Sequence, residues 1–481
     1  MRLSLKLPTA KERPAGALLF TFVVLVILVA ALVVAIIRHP LKSSGPAASS
    51  EWRMYGLNPA HQTIIDDPAL KLPQNVSWTA HIPGKPIGQA MSAMATGEAS
   101  YSGGYLYADT LSGKLVKINP TTGEIVWTWR GPNQIMTTPV FYQTGHLSLV
   151  IVGLGNNVMT GMSGPRSAYY SEYYRGTGPS GVYAVNEATG VTVWSFRTRG
   201  EAMPTPVVTG GRVFAPTGGR HLYVLDAATG RLVRRIPDFG FDSMSSPVLA
   251  RGLVIFGVND PEEYLAYDVR SLSLRWAFEM PSAVGGMSPP AEAHGIAVFE
   301  AAVVPQRYRT ITKAVLGEYR QYAYGVRLSD GKLLWRRDLG RGLKPSLGMI
   351  AGGACILGGT AYMLSPVTGY VYALDVATGA ELWSTTLPGA VPNHGQFPGG
   401  IAKGHPVLYN GRLYVGAADK SVWELDPKTG KIVGKVALPG PATAAGPLIL
   451  NGRLVVLTAN GDVVMRGVSS GPGRGKTGGG A

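Results

Sequence analysis

A segment of thirteen residues recurs along the chain, and its apolar and polar positions alternate as they do in a half-buried β-strand. The clearest copies are VYAVNEATGVTVW (182–194) and VYALDVATGAELW (371–383). In both, an alternating run ends at Asp or Asn, a Thr-Gly turn follows, and a tryptophan comes four residues after the glycine. Because glycine can supply the positive φ of a hairpin turn, each copy predicts two antiparallel strands. The tryptophan is suited to burial against a neighbouring sheet.

The copies are spaced for a repeat of four strands. Counting a degenerate copy with Leu272 at the turn, the spacings run from 40 to 67 residues, and the shortest equals one propeller blade. Strands such as TPVV and RVFAP fill the intervals between copies. The turn glycines are Gly123, Gly190, Gly230, Gly331, Gly379 and Gly430.

An eighth unit is split between the two ends of the repeat region. Residues 461–468 (GDVVMRGV) supply its third strand, and residues 75–80 (NVSWTA) supply the strand with the tryptophan. Pairing these segments closes the ring and leaves no long open edge. We therefore predict an all-β fold, an eight-bladed β-propeller of four-stranded blades that spans residues 51–468.

The repeat resembles that of the pyrroloquinoline-quinone (PQQ) repeat family, the quinoprotein-like propellers. The signature A-x-D-x-x-T-G-x-x-x-W carries the resemblance, together with the lead-in EWRMYGLNPAHQ (51–62). The match covers almost all of the chain beyond the N-terminal region. It implies the same propeller fold that the spacing predicts.

The N-terminal region predicts a membrane anchor. Residues 15–37 form an uncharged stretch long enough to span a bilayer as a transmembrane helix, after a basic stub at 1–14. The flanking positive charges place the N-terminus in the cytoplasm. The propeller then lies on the periplasmic or extracellular side of the inner (plasma) membrane, as a single-pass protein. Residues 38–50 are a flexible linker, and residues 469–481 a disordered tail. A cleaved signal peptide is the alternative, although its apolar region is usually shorter.

The cysteine count and the net charge exclude some kinds of site and partner. The chain has a single cysteine, Cys355, so an intrachain disulfide, a CxxC redox pair and a cysteine-based zinc site are excluded. The formal net charge is +15, but the basic residues are scattered, and the chain faces away from the cytoplasm. We expect no nucleic-acid partner.

Two long insertions, at 153–181 and 300–322, belong to connections on one face of the predicted propeller. Long loops on a rigid scaffold often carry function. Both insertions are rich in Tyr and Arg, including Tyr174 and Arg175. Arginine binds oxyanions through two hydrogen bonds, so we expect an anionic small molecule here. The same residue types are common at interfaces, and a homodimer through these loops is the alternative.

The first insertion is similar to the cofactor-binding blade of quinoprotein dehydrogenases. The resemblance implies that Asn156, beside Asn157, is a calcium ligand, and that Glu201 stands where those enzymes have a catalytic Asp. PQQ and calcium are the cofactors it implies. A buried Asn pair that holds the loop is the structural alternative. The adjacent Cys-Cys pair of those dehydrogenases is absent, which weakens the case for PQQ.

Three functions remain open. Tetrathionate hydrolases have a propeller of this family, and the resemblance implies a cofactor-free hydrolase that activates water with a carboxylate. The candidate carboxylates are Asp242, Glu201 and Glu300. A PQQ- and calcium-dependent dehydrogenase is the second function, with Asn156 and Glu201 as metal ligands. A non-catalytic scaffold, as in the outer-membrane assembly propeller, is the third. The candidate ligand-binding residues are Asn156, Asn157, Arg175, Arg220, Arg341 and Tyr174.

Overall fold

A computed structural model shows that the chain folds into an eight-bladed β-propeller. The structure describes residues 64–85, 87, 97–156, 158–160, 174–237, 240, 242, 245–259, 261–280, 283–284, 288–303, 319–342, 353–365, 367–388, 404–443 and 446–468. The predicted anchor at 15–37 lies outside these ranges. The described residues contain no helix with the length and apolarity needed to cross a bilayer.

Each blade is an antiparallel meander of four strands, numbered here from the propeller axis outward. The first four blades have the following strands. Blade 1 has Ser100–Ser102, Tyr105–Asp109, Lys114–Ile118 and Ile125–Arg130; blade 2 has Val140–Thr144, Leu147–Gly155, Gly181–Asn186 and Thr192–Arg197; blade 3 has Val207–Thr209, Arg212–Thr217, His221–Asp226 and Leu232–Pro237; blade 4 has Val248–Ala250, Leu253–Val258, Glu263–Asp268 and Leu274–Glu279.

The remaining blades continue the same order around the ring. Blade 5 has Ala291–Ala293, Ile296–Val303, Tyr319–Arg327 and Leu333–Gly342; blade 6 has Cys355–Leu357, Thr360–Leu364, Tyr370–Asp375 and Glu381–Thr386; blade 7 has Val407–Tyr409, Arg412–Ala417, Ser421–Leu425 and Ile432–Ala437; blade 8 has Leu448–Leu450, Arg453–Leu457, Asp462–Gly467 and Trp78–His81. Short additions are Gln134–Ile135 in blade 2, Ala283–Val284 in blade 5, and the pair Met159–Thr160 with Tyr174–Arg175.

The predicted closure of the ring is confirmed. Trp78 is paired with Met465 and Thr79 with Val464, so strands from the two ends of the propeller complete blade 8. A further strand, Ile64–Ile65, runs parallel to Leu448–Leu450 on the axial side of that blade. This addition was not predicted, because two residues carry no periodic signal.

Blades are held together by a contact between a tryptophan and a glycine. In six blades, a tryptophan near the start of the outermost strand packs against the turn glycine of the next blade, where a Cβ would lie 2.5–2.9 Å from the indole ring. The indole N–H donates to a carbonyl of that same turn at 2.8–3.2 Å. We call this contact the Trp–Gly lock. The pairs are Trp78–Gly123, Trp127–Gly190, Trp194–Gly230, Trp276–Gly331, Trp335–Gly379 and Trp383–Gly430.

At the two boundaries between blades that lack this lock (seams 3/4 and 7/8), both the tryptophan and the facing turn glycine are missing. Blade 3 has Arg234 at the tryptophan position, and the turn that faces it in blade 4 has Leu272 instead of glycine. Blade 7 has Gly434 there, and blade 8 has no turn at that place because the chain ends supply its strands. Tryptophan is therefore present where a turn glycine leaves room for it.

The first testable prediction concerns Gly230. Its φ of 71° is strained for any residue with a side chain, and a Cβ would also meet the Trp194 ring at 2.5 Å. Gly230→Ala should therefore lower the free energy of unfolding by about 3 kcal/mol, the sum of backbone strain and steric overlap. The control is Gly252→Ala, with a φ of 82° but open space around its Cβ, which should cost only about 1 kcal/mol. Urea unfolding measures the free energy of unfolding of both variants. Equal losses of stability would contradict the stabilising role of the Trp–Gly lock.

Candidate functional site

The connections on one face of the propeller form the candidate site. These are the connections from second to third strands, and those from the outermost strand of one blade to the innermost strand of the next. We call this side the long-loop face, because both predicted insertions belong to it. Residues 161–173 and 304–318 of the insertions lie outside the described residues.

Buried polar residues form a chain of hydrogen bonds around the axis, just before the innermost strands. The Glu98 N–H donates to Thr138 Oγ1 at 3.1 Å, and the Thr138 N–H donates to Thr205 Oγ1 at 2.8 Å. The Thr205 N–H donates in turn to Ser246 Oγ at 3.1 Å. In this polar chain, a backbone N–H of each blade donates to a side-chain hydroxyl of the next, so blades 1 to 4 are linked by hydrogen bonds outside their β-sheets.

A buried acid and histidine join the two ends of the ring on the same face. Glu98 Oε1 lies 3.1 Å from His405 Nε2, and both side chains have no exposed surface. The same oxygen accepts the Gly446 N–H at 3.0 Å. Blades 1, 7 and 8 thus meet at one carboxylate. The sequence provided no local signal for this pair, which is separated by 307 positions.

Two of the predicted catalytic acids are grouped around an arginine in what we call the acid cluster: Arg175, Glu201 and Asp242. Glu201 and Asp242 are fully buried, and Arg175 is nearly so. Arg175 Nε lies 3.5 Å from Glu201 Oε1. Asp242 Oδ1 accepts the Ser245 N–H at 3.1 Å. The cluster lies where the connections into and out of blade 3 meet the insertion of blade 2.

The backbone holds Glu201 in place. Its N–H donates to the Arg175 carbonyl at 2.8 Å, and its carbonyl accepts the Gly218 N–H at 2.9 Å. Glycines make the room: a Cβ on Gly155 would lie 2.1 Å from the Glu201 Cβ, and one on Gly218 would lie 1.6 Å from Glu201 Oε2. A side chain at Gly155 or Gly218 would therefore displace Glu201.

Electrostatics favour a protonated Glu201. Burial raises the pKa of its carboxyl well above the usual range; Arg175 opposes this rise, and the charge of Asp242 adds to it. Arg175 itself keeps its proton, because a guanidinium is not deprotonated in proteins. Two carboxyls beside one cation can therefore hold a proton between them.

Glu300, the third predicted acid, lies in blade 5 and is fully buried. Its Oε2 accepts a hydrogen bond from Gln321 Nε2 at 3.0 Å. Burial raises the pKa of Tyr264 in blade 4 well above its usual value, and the charges of Glu300 and, more weakly, Asp242 add to the rise. No described contact joins Glu300 to the acid cluster.

The predicted ligand-binding residues occupy different places. Arg175 belongs to the acid cluster, and Tyr174 beside it faces the Arg199 guanidinium, 5.1 Å from the ring centre. Arg220 is half-buried in the turn of blade 3. Arg341 is exposed in blade 5, where its Cα partner is Arg320. Asn157 lies outside the described residues.

The contacts of Asn156 and Glu201 do not fit a calcium site. Asn156 Oδ1 accepts the N–H groups of Val158 at 3.2 Å and Thr177 at 3.0 Å, and its amide donates to the Thr177 carbonyl at 2.8 Å. Glu201 faces a cation. Calcium takes six to eight oxygen ligands, and no group of three or more acidic, His or Cys side chains that could hold a metal is found in the described residues. Asn156 here holds a loop.

Sequence reasoning missed Asp109, which is fully buried at the end of the second strand of blade 1. Among the described residues, neither of its carboxylate oxygens has a hydrogen-bond partner. The strand registers place Asp109 and Glu300 at the same position of the repeat, since Leu106 and Ala297, three residues earlier, pair with equivalent residues. Aligning the second strands of the blades would have shown that Asp109 occupies the same position as Glu300.

Comparison with known proteins adds the following relatives. The PQQ_2 family model, described as outer membrane protein assembly factor BamB, matches residues 72–164, 178–365 and 367–474. A tetrathionate hydrolase of Acidithiobacillus ferrooxidans is 27% identical over 86% of this chain and 85% of its own. A tetrathionate hydrolase of Acidianus ambivalens is 27% identical over 72% of this chain and 67% of its own.

Among solved structures, the quinohemoprotein alcohol dehydrogenase ADHIIG of Pseudomonas putida HK5 is similar with a TM-score of 0.56 and 12% identity. The match covers 87% of this chain and 81% of that one. At this identity the likeness concerns the fold.

The second testable prediction uses the pH dependence of stability. Burial raises the pKa of Asp109 well above its usual 3.8, so the folded state holds the proton more tightly than the unfolded chain does. The wild type therefore loses stability as pH rises from 3.8 toward the folded pKa. Asp109→Asn removes this titration, and its stability relative to the wild type should increase with pH over that window. Urea unfolding at a series of pH values measures the difference.

Asp226→Asn provides a control of opposite sign. The Thr229 hydroxyl donates to Asp226 and holds its pKa below the usual 3.8, so its stabilisation is present above that value and is lost as pH falls through the lowered pKa. Asn119 and Asn186 occupy this position in blades 1 and 2, which shows that Asn suits the turn. The deficit of this variant should shrink at low pH. If the stability difference from the wild type changed with pH in the same direction for both variants, the raised pKa of Asp109 would be contradicted.

Proposed function

Because the chain belongs to the PQQ-repeat propeller family described as outer membrane protein assembly factor BamB, and matches tetrathionate hydrolases over most of its length, we propose that it hydrolyses a sulfur oxyanion. The observation that carries the proposal is the acid cluster. Two buried carboxyl groups lie beside an arginine on the face where the long connections meet. The reaction needs water and no bound cofactor.

The three residues of the cluster take different roles in this proposal. Asp242 accepts a proton from the attacking water, with its carboxylate held by the Ser245 N–H. As the water oxygen bonds to a sulfonate sulfur, the S–S bond to that sulfur breaks, and Glu201, whose pKa burial raises, donates a proton to the sulfur group that leaves. Arg175 stabilises the negative charge that develops in the transition state. Two carboxyls whose surroundings separate their proton affinities commonly divide the acid and base roles.

The setting of this activity is also part of the proposal. Residues 15–37 anchor the chain in the inner membrane, and the propeller stands outside the cytoplasm. A tetrathionate ion reaches the cluster from the long-loop face. The basic excess of the chain, +15 in total, favours the approach of a dianion.

The third testable prediction is a loss of turnover in two isosteric variants. The full-length chain in detergent should consume tetrathionate, followed by ion chromatography, and should place oxygen from ¹⁸O-labelled water on a sulfur product. Asp242→Asn keeps the acceptor for the Ser245 N–H but removes the base, so kcat should fall about 100-fold or more. Glu201→Gln should reduce kcat comparably. Asp226→Asn, far from the cluster in the turn of blade 3, should leave kcat unchanged.

Other results would support other functions of this family. Dye-linked oxidation of an alcohol that appears only with added PQQ and calcium would indicate a dehydrogenase. A wild-type chain that consumes no tetrathionate but captures a specific partner protein would indicate a scaffold. Full activity of Asp242→Asn would remove the acid cluster from the mechanism.

A further inference from the structure

The strand Ile64–Ile65 begins a short segment, residues 64–70, that we call the axial strap. It pairs in parallel with Leu448–Leu450, the innermost strand of blade 8. Among the strands that the structure describes, only this one lies on the axial side of an innermost strand. Both isoleucines are partly buried, so the strap adds apolar contacts to blade 8 as well as hydrogen bonds.

Asn451, in the turn between the first two strands of blade 8, binds the strap through its backbone and its side chain. Its N–H donates to the Ile65 carbonyl at 2.8 Å. Its Oδ1 accepts the Asp67 N–H at 2.7 Å, and its Nδ2 donates to the carbonyls of Asp67 and Leu70 at 2.8 and 3.0 Å. One amide side chain therefore fixes the path of the strap over four residues.

The strap also contacts the blades on both sides of blade 8. Ile64 packs against an apolar cluster that combines residues of blades 7 and 8, among them Val407 and Ile449. On the other side, Tyr101 in the innermost strand of blade 1 donates its hydroxyl to Asp67 Oδ2 at 2.5 Å. The strap thus crosses both boundaries of blade 8.

These two boundaries differ in their other contacts. Seam 8/1 has the Trp78–Gly123 lock, whereas seam 7/8 has none. On the long-loop face, Glu98 approaches His405 of blade 7 and accepts the Gly446 N–H of blade 8. The strap provides a corresponding connection on the opposite face, where the turn of Asn451 lies.

We propose that the axial strap holds the ring closed at seam 7/8, in place of the missing Trp–Gly lock, and that the ring opens there when the strap is released. The inference is independent of the proposed function. Local opening occurs where stabilising contacts are fewest, and blade 8 is assembled from the two ends of the propeller. The strength of the strap contacts therefore sets how often this seam opens.

The chain contains a matched control for this proposal. Asn410 occupies the equivalent turn of blade 7, with a φ of 46° against 45° for Asn451. It is exposed, and its side chain makes no hydrogen bond within the described part of the chain. Glycine suits this turn position, because Gly103, Gly210 and Gly358 occupy it in blades 1, 3 and 6 with φ of 54–57°. Replacing either asparagine by glycine relieves the same backbone strain, but only one replacement removes strap contacts.

The fourth testable prediction compares Asn451→Gly with Asn410→Gly by hydrogen exchange and mass spectrometry, on the full-length chain in detergent. Asn451→Gly should speed exchange of the amides in Leu448–Leu450 and Arg453–Leu457 about tenfold, because three hydrogen bonds to the strap are lost. Asn410→Gly should leave these rates within about twofold of the wild type. Exchange in blades 3 and 4 should be the same in all three proteins.

A second variant tests the contact with blade 1. Tyr101→Phe removes only the hydroxyl that binds Asp67, and it should speed exchange in blade 8 about threefold. Faster exchange confined to residues 64–70 would show that the strap can leave without opening the ring, and would overturn the proposal. Equal acceleration in all eight blades, or the same acceleration from Asn410→Gly, would also overturn it, because neither result assigns the strap to seam 7/8.

Discussion

The propeller depends on a single recurring contact, the packing of an indole ring against a glycine of the neighbouring blade. The ring fills the space that an absent side chain leaves, and its N–H satisfies a carbonyl in the same turn. One interaction thus provides apolar burial, a hydrogen bond and a fixed distance between blades. Strand hydrogen bonds run within each blade, so neighbouring blades are connected by these contacts together with the hydrogen bonds of the polar chain and of Glu98.

The same contact explains why the fold was predictable. Each hairpin carries the glycine of one lock and, four residues later, the tryptophan of the next, so the locks leave a local mark that recurs with the blade. The split blade was also recognisable, because Trp78 lacks a turn glycine before it while Gly461 begins a strand with no partner after it. Ile64–Ile65 had no such mark and required coordinates.

The site was predictable only in part. Glu201, Asp242 and Glu300 were chosen because the sequence assigned them to connections of one face. That topology places Glu201 and Asp242 around Arg175, whereas Glu300 lies inside the strand Ile296–Val303. Glu98 precedes the strand Ser100–Ser102, His405 precedes the apolar strand Val407–Tyr409, and Asp109 ends the strand Tyr105–Asp109. None of these local patterns marks the residue as both buried and polar. Contacts between residues hundreds of positions apart, and burial without a partner, are properties of the closed ring.

Not every seam of the ring is equally strong. The boundaries between blades 3 and 4 and between blades 7 and 8 lack the tryptophan–glycine contact that the other six boundaries have, and the segment that carries Asp242 crosses the first of them. Local separation of neighbouring elements requires the least free energy where stabilising contacts are fewest. We therefore expect neighbouring blades to separate transiently at these two boundaries before the others, and one of the two lies beside the acid cluster.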